Sequence, residues 1–489
     1  MAATNSSIVI VGAGFGGLCM AIALRKQGFD DFLILDKGAQ VGGTWRDNTY
    51  PGCACDVPSL MYAYSFEPNP QWSRSFSGHT EIWQYTRHCF AKYDIDRFVR
   101  CNQNVTQTRY DDATGRWYIA TQQGDTYLAR AVVMATGGLS QPSVPTLPGL
   151  ANFVGTTFHS ANWDHSYDLR GKRVAVIGTG ASAIQFVPQI APLVGQLDLY
   201  QRTPPWVMAK PDRAITKLEQ WLYAKLPAVQ ALARCAVYCI LESRAWAFFW
   251  QPRALAVAAF GAKRHLHKQV PDAALRAKLL PNYTIGCKRI LLSNDYYPAL
   301  TRPNVHLVTD GIAQVEANGI RDRQGLLRPA DALIFGTGFE TQQPVLAGQV
   351  IGRDGLDLAL AWQNGPEAYK GTVVAGFPNA FFVVGPNTGL GHNSMIYMIE
   401  SQAAYIADAV RLLRQTDFAP ITVSAAAQAQ YNQGLQARMA TAVWQTGCQS
   451  WYINAAGKNT TLWPGFTFAF RRQTKFFDRA AFEVVPRVT

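Results

Sequence analysis

Residues 7–18 read SIVIVGAGFGGL: a short apolar run, the turn Gly12-x-Gly14-x-x-Gly17, and the opening of a second apolar stretch. Such a spacing predicts a strand, a tight turn and a helix. The glycines let a backbone approach a pyrophosphate, which then sits on the helix N-terminus. One such turn is a weak signal, but the chain has a second. Residues 172–185 read KRVAVIGTGASAIQ, with Gly178-x-Gly180-x-x-Ala183 in the same place. Each is followed by a helical stretch and another apolar run, DFLILD (31–36) and LDLYQR (197–202), so each reads as a βαβ unit. Pro188 falls inside the second helix and is expected to kink or end it.

A further echo supports the pairing. AVVMATGG (131–138) and DALIFGTGF (331–339) are both apolar runs that end in Ala/Gly-Thr-Gly. Each is expected to be a late strand of its unit, returning to the nucleotide edge of a sheet. The predicted fold class is α/β, with two Rossmann-like dinucleotide-binding domains, one inserted in the other, and a helical insertion.

The ends of the second strands distinguish the two nucleotides. Gly12 to Asp36 and Gly178 to Arg202 both span 24 positions. A carboxylate at Asp36 accepts ribose hydroxyls and repels a 2′-phosphate, which suits FAD or NAD. Arg202, with Thr203 beside it, offers donors to a phosphate, which suits NADP.

The composition fits this reading. A chain of 489 residues is long enough for two or three domains, and 48% hydrophobic with 16% charged residues reads as globular. The net charge is +12, with no dense Lys/Arg run, which disfavours nucleic acid as a partner. Nine dispersed cysteines and an N-terminus that runs straight into a strand predict a cytoplasmic protein. Residues 218–262 are the most membrane-like. Arg234, Glu242, Arg244 and Arg253 interrupt them, so no transmembrane segment is expected, and a buried helical pair is preferred to contact with a membrane surface. No His/Cys/carboxylate cluster has ligand spacing, so no metal is expected.

Two longer patterns carry a resemblance. Residues 42–56 read GGTWRDNTYPGCACD, and 153–164, after the Pro-rich QPSVPTLPG, read FVGTTFHSANWD. Where flavin disulfide reductases carry a redox cysteine pair, Trp45 stands here. Cys53 and Cys55 are only one residue apart, too close for an unstrained bridge. Reduced flavin must then pass its electrons elsewhere, and dioxygen is the obvious acceptor. The chain resembles the type I Baeyer–Villiger monooxygenases. One family fingerprint matches at Phe153, Gly155, His159, Trp163 and Asp164, and the other at Gly42, Gly43, Trp45, Tyr50, Pro51, Gly52 and Asp56. The resemblance covers nearly the whole chain and is weakest over about 211–285.

That resemblance implies FAD and NADPH as cofactors, O2 as co-substrate and a hydrophobic ketone as substrate. It implies insertion of one oxygen atom beside the carbonyl, through a C4a-peroxyflavin, to give an ester or lactone. The implied catalytic residues are Arg289, over the flavin ring, and Asp56, which can hold its guanidinium. Lys288 is implied beside the NADP 2′-phosphate. His159 is implied to lie in a domain connector near the nicotinamide, coupling domain movement and not shuttling protons. Phe15, Gly43, Thr44, Trp45, Tyr62 and Val105 match positions near FAD. Thr179, Gly180, Ala181, Ser182, Ala183, Ile184 and Gln185 are expected around the NADP pyrophosphate. His392 is expected either to line the substrate cavity or to be structural.

The expected layout is an FAD domain at 1–140 and 378–489, an NADP domain at 141–210 and 288–377, and a helical insertion at 211–287. Either a monomer or a dimer is compatible with the sequence. An N- or S-hydroxylating flavin monooxygenase is the nearest alternative. It shares the dinucleotide units but usually lacks the Trp-Asp ending and the second fingerprint. A non-catalytic FAD/NADP-binding protein would need no cation at residue 289.

Overall fold

The computed structural model describes residues 3–340, 348–445, 450–454 and 456–486. Ile8, Val9 and Ile10 are fully buried, as expected of a parallel strand covered on both faces. The strand Thr4–Val11 lies between Thr126–Met134 and Phe32–Leu35, parallel to both. Helix Phe15–Lys26 follows the first turn and closes with Arg25 and Lys26, which complement the negative end of its dipole.

The architecture is α/β, and the two units repeat one topology. In the first, the order is Ala380–Phe382, Thr126–Met134, Thr4–Val11, Phe32–Leu35, Val99–Arg100. In the second it is Thr156–His159, Ala332–Phe335, Arg173–Ile177, Gln196–Tyr200, Val305–Val308. All these neighbours pair in parallel. The first sheet is extended by the antiparallel strands Val105–Asp111 and Arg116–Thr121. Val350–Ile351 pairs with Val105–Asp111, so the chain re-enters the first sheet before residue 378.

The turns are built alike as well. Gly12 has φ +110°, and a Cβ there would lie 2.4 Å from the Ala135 carbonyl oxygen. Gly178 has φ +106°, and its Cβ would lie 2.4 Å from the Gly336 carbonyl oxygen. These carbonyls belong to the Ala-Thr-Gly and Gly-Thr-Gly endings, so the late strands do return to the turns. The helix after the second turn, Ala183–Ile190, ends two residues beyond Pro188.

One apolar cluster runs through both units, from Ile8 and Val133 to Val174 and Ile334. Residues 207–292 leave and rejoin the second unit through a short parallel ladder, Val207–Met208 with Leu291–Leu292. Between these strands lie the helices Lys217–Lys225, Pro227–Phe249, Leu255–Gln269 and Ala273–Leu279. The longest is pinned on its inner side. Its Gln230 donates to the Asn69 carbonyl (2.7 Å), and Glu242 accepts from Asn393 Nδ2 (2.6 Å) and Thr467 Oγ1 (2.9 Å). No single helix among the described residues is long and apolar enough to cross a membrane. The preference for a buried helical pair does not hold. Most of Pro227–Phe249 lies outside the core, and only Gln230, Leu241, Glu242, Ala245, Phe248 and Phe249 are buried.

Candidate active site

The first turn and the second fingerprint meet backbone to backbone. A Cβ at Gly14 would lie 3.6 Å from the Gly43 Cα, and Gly42 N–H donates to the Ala13 carbonyl (2.9 Å). Gly17 is equally constrained, because a Cβ there would lie 1.9 Å from the Gly12 carbonyl oxygen. The crevice is therefore lined by main chain. Asp36 is buried at the end of its strand and accepts from Ala13 N–H (2.7 Å) and Gly38 N–H (2.8 Å). Arg46 Nη1 reaches the same carboxylate at 2.7 Å, while its Nε holds Asp47 at 2.6 Å. Arg46 is absent from the residues expected from sequence. Its only signal was a basic residue next to Trp45.

Thr44 begins the short helix Thr44–Asp47, which carries Trp45. Trp45 Nε1 donates to Tyr62 Oη at 3.0 Å, and Phe15 stands edge-on to Tyr62 at 5.5 Å between centroids. Phe15, Trp45 and Tyr62, distant in sequence, thus form one aromatic wall. Burial raises the Tyr62 phenol well above its usual range. Val105 is buried at the start of its strand, two residues past Gln103, whose N–H binds the Asp36 carbonyl (2.8 Å).

Asp56 closes the second fingerprint and meets Arg289 head-on. Arg289 Nε donates to Asp56 Oδ2 (2.9 Å) and Nη2 to Oδ1 (2.7 Å), a two-point pair. Asp56 raises the guanidinium pKa further, against the opposing effect of burial. The Arg289 side chain is still 39% exposed, so it is held in place without being sealed. Tyr452 is buried nearby. Burial pushes its phenol up to about 12, with Arg289 pulling the other way. No local pattern links the C-terminal Trp451–Tyr452 pair to residue 289, so sequence reasoning missed it. Gly286, just before, presses on the helical insertion: a Cβ there would lie 3.1 Å from Leu255 and 3.2 Å from Phe248.

In the second unit Arg202 is exposed, and Thr179 Oγ1 donates to the Thr203 carbonyl (3.3 Å). Lys288 stacks its ammonium over Tyr283 at 5.0 Å, and its pKa is lowered by burial and by Arg202. Among the described residues neither Arg202 nor Lys288 has a carboxylate partner. Two cations brought together without an acid suit an anion. Gly180, Ala181 and Ser182 form the turn ahead of the helix that begins at Ala183 and Ile184. The Gln185 side chain reaches across to the first unit. It accepts from Tyr50 Oη (2.9 Å) and donates to the Ala54 carbonyl (2.9 Å), tying the second unit to the first.

The 153–164 stretch is built into the second unit. Thr156–His159 is the edge strand of the second sheet, with His159 opposite Phe335. A Cβ at Gly155 would lie 2.5 Å from the Asp331 carbonyl oxygen, so Gly is required there. Trp163 packs on Phe186 of the nucleotide helix at 5.2 Å. His159 Nδ1 accepts from Ala161 N–H (3.0 Å), and burial lowers the ring's pKa. His392 is buried against the insertion, with Nε2 3.7 Å from Glu242 Oε2 and its ring edge on Phe249. Burial opposes the Glu242 charge, but His392, Asn393 and Thr467 outweigh it and hold the carboxyl below its usual range. Cys53 and Cys55 carry free thiols, pushed up by burial, whereas Cys287 is disulfide-bonded.

Residues 9–238 match the family described as pyridine nucleotide-disulphide oxidoreductase. A Baeyer–Villiger monooxygenase of Pseudomonas aeruginosa is 53% identical over 99% of this chain and 92% of its own length. One from Streptomyces coelicolor is 49% identical over 98% and 92%. This chain belongs to the Baeyer–Villiger monooxygenase family. The crystal structure of cyclohexanone monooxygenase from Rhodococcus sp. Phi1, bound to NADP+, superposes with a TM-score of 0.87 at 26% identity, covering 99% of each chain. As a member of the family the chain is a flavin- and NADPH-dependent monooxygenase, with the two-Rossmann fold its sequence predicts.

Proposed function

We propose that this monooxygenase converts a hydrophobic ketone to an ester or lactone, with Arg289 as the cation at the reacting carbonyl and Asp56 as its anchor. The observation that carries the reading is the two-point Arg289–Asp56 pair, which joins the second unit to the second fingerprint of the first. Bound FAD, reduced by NADPH, supplies the activation of dioxygen. The rest falls to the chain. The main-chain crevice at Gly12–Gly17 and Gly43 suits the FAD pyrophosphate, and buried Asp36 suits its ribose. The turn from Thr179 to Ile184, with Arg202 and Lys288, suits NADP. Arg289 stays charged at any working pH and lowers the cost of negative charge at the attacking oxygen and the attacked carbonyl. Phe15, Trp45 and Tyr62 keep water from that place.

The apolar cluster of Phe248, Trp444 and Tyr452 beside residues 286–289 suits a hydrophobic substrate. The layout we propose has FAD at 1–140 and the C-terminal part, and NADP at 141–210 and from 288 onward. Seven free thiols among the described residues, against the one bridge at Cys287, favour the cytoplasm, and the chain acts as monomer or dimer.

The test supplies linear, cyclic and aryl ketones with NADPH and labelled dioxygen. An ester carrying one labelled oxygen is expected by mass spectrometry. Sulfide or amine oxidation, with no ester from any ketone, would overturn the reading in favour of an N- or S-hydroxylating enzyme.

A further inference from the structure

The long helix Pro227–Phe249 is apolar on the side that faces away from the protein. Leu232, Ala236, Ile240, Ser243, Trp246 and, just past its end, Trp250 recur every three or four residues. At 100° per residue they fall within an arc of about 120°. Leu232 is 72% exposed and Ile240 60%, and both Trp246 and Trp250 are half exposed. The inner face is fixed to the protein by Gln230, Arg234 and Glu242, so this outward stripe cannot turn inward. A helix that shows water its apolar stripe has lost the usual reason to be amphipathic.

The helices on either side follow a related pattern, with cations added. On Lys217–Lys225 the exposed residues Leu218, Trp221 and Lys225 share a face at i, i+3 and i+7. On Leu255–Gln269, Val257 (77% exposed), Phe260 (68%), Arg264 and Lys268 share a face at i, i+3, i+7 and i+11. Residues 211–287 hold 11 Lys and Arg against 4 Asp and Glu, a net of +7 out of +12 for the whole chain. Among the described residues, Lys225, Arg264 and Lys268 have no carboxylate partner.

We infer that the helical insertion docks on an anionic phospholipid bilayer, lying in the interface with Leu232, Trp246, Val257 and Phe260 inserted and Lys225, Arg264 and Lys268 among the headgroups. Exposed Trp beside exposed aliphatic residues and flanking Lys/Arg is the chemistry of an interfacial helix. The first two helices are bent by 111° at their junction, and both can lie along one surface. A second copy of the chain is the other candidate cover. A two-fold dimer over this face would bring together two insertions of net charge +7, with Lys225, Arg264 and Lys268 exposed on each, whereas an anionic bilayer neutralises them. The inference stands apart from the substrate and from the roles of Arg289 and Asp56.

The full-length protein, with FAD bound, is floated with phosphatidylcholine vesicles, with and without phosphatidylglycerol, at low and high salt. Binding only to the phosphatidylglycerol vesicles, weakened by salt, is expected. Leu232→Ser/Val257→Ser/Phe260→Ser should lower the bound fraction roughly tenfold, and Lys225→Glu/Arg264→Glu/Lys268→Glu at least as much. Both variants should keep the parent's flavin absorbance and NADPH oxidation, which separates lost docking from lost folding. The inference is overturned if the parent stays in solution with anionic vesicles at low salt. It is also overturned if both variants float as the parent does, or if sedimentation shows a dimer that the serine variant abolishes without lipid.

Discussion

The two nucleotide units share strand order, turn geometry and register, yet the ends of their second strands are opposite in charge and in company. Asp36 is buried, accepts two main-chain N–H groups and is paired with Arg46. Arg202, 24 positions past its own first glycine as Asp36 is past Gly12, is exposed and has Lys288 beside it in place of an acid. One side is a finished acceptor site held by its own backbone. The other is a pair of cations that only an anion would neutralise. The two units thus repeat one crevice, and they differ in the charge at the strand end, on which the proposed assignment of FAD and NADP rests.

The comparison breaks most visibly at residue 289, where the second unit lends a charge to the first. Arg289→Ala should retain FAD and still be reduced by NADPH, while ester formation falls by roughly two to three orders of magnitude. Product analysis against NADPH consumption checks this, because unproductive turnover should appear as hydrogen peroxide. Undiminished ester yield would remove Arg289 from the reaction.

The paired glycines test whether the turns serve different nucleotides. Gly12→Ala meets the Ala135 carbonyl at 2.4 Å, and Gly178→Ala meets that of Gly336 at the same distance. The positive φ alone costs about 1–3 kcal/mol for a residue with a side chain. Gly12→Ala should emerge without flavin absorbance. Gly178→Ala should keep its flavin and raise the KM for NADPH by about two orders of magnitude. The reverse pattern would exchange the two assignments.

A smaller effect sharpens the charge contrast. Arg202→Ala should weaken NADPH binding by about one to two orders of magnitude and leave NADH almost unaffected, measured as the ratio of the two KM values. Equal loss for both would mean that residue 202 does not face the 2′-phosphate.

The smallest effect concerns the outer strands that correspond in the two sheets. Phe382 faces Met134 in the first sheet, and His159 faces Phe335 in the second. Burial lowers the His159 pKa, so its unfolded form binds the proton more readily. Stability is therefore full above the ordinary His value of about 6.5 and falls as pH drops through the folded value. In His159→Gln the urea midpoint should fall less between pH 7.5 and 5 than it does in the parent. An identical pH profile would show that the ring carries no linked proton.

Both turns, their strands and the Asp36/Arg202 contrast were legible in the sequence because they rest on local spacing. A short apolar run, glycines at fixed offsets and a helix behind them need no distant partner. The pairing of Asp56 with Arg289 was legible only through the family resemblance. Arg46 on Asp36, Gln185 on Tyr50 and Tyr452 beside Arg289 were not legible, since each contact joins segments whose own patterns are complete without it. The 153–164 stretch shows the limit from the other side. Its residues stood out in sequence, but its place as an outer strand of the second sheet depends on a partner near residue 334.

The sequence by itself determined two nucleotide-binding βαβ units, their order and the sign of the charge at each, because those follow from backbone sterics and Coulomb's law over a few residues. Only the tertiary structure decided which side chains converge on Arg289 and which face of the helical insertion meets solvent. Both depend on how separate segments pack, and an apolar helix reads the same in sequence whether its stripe is covered or bare.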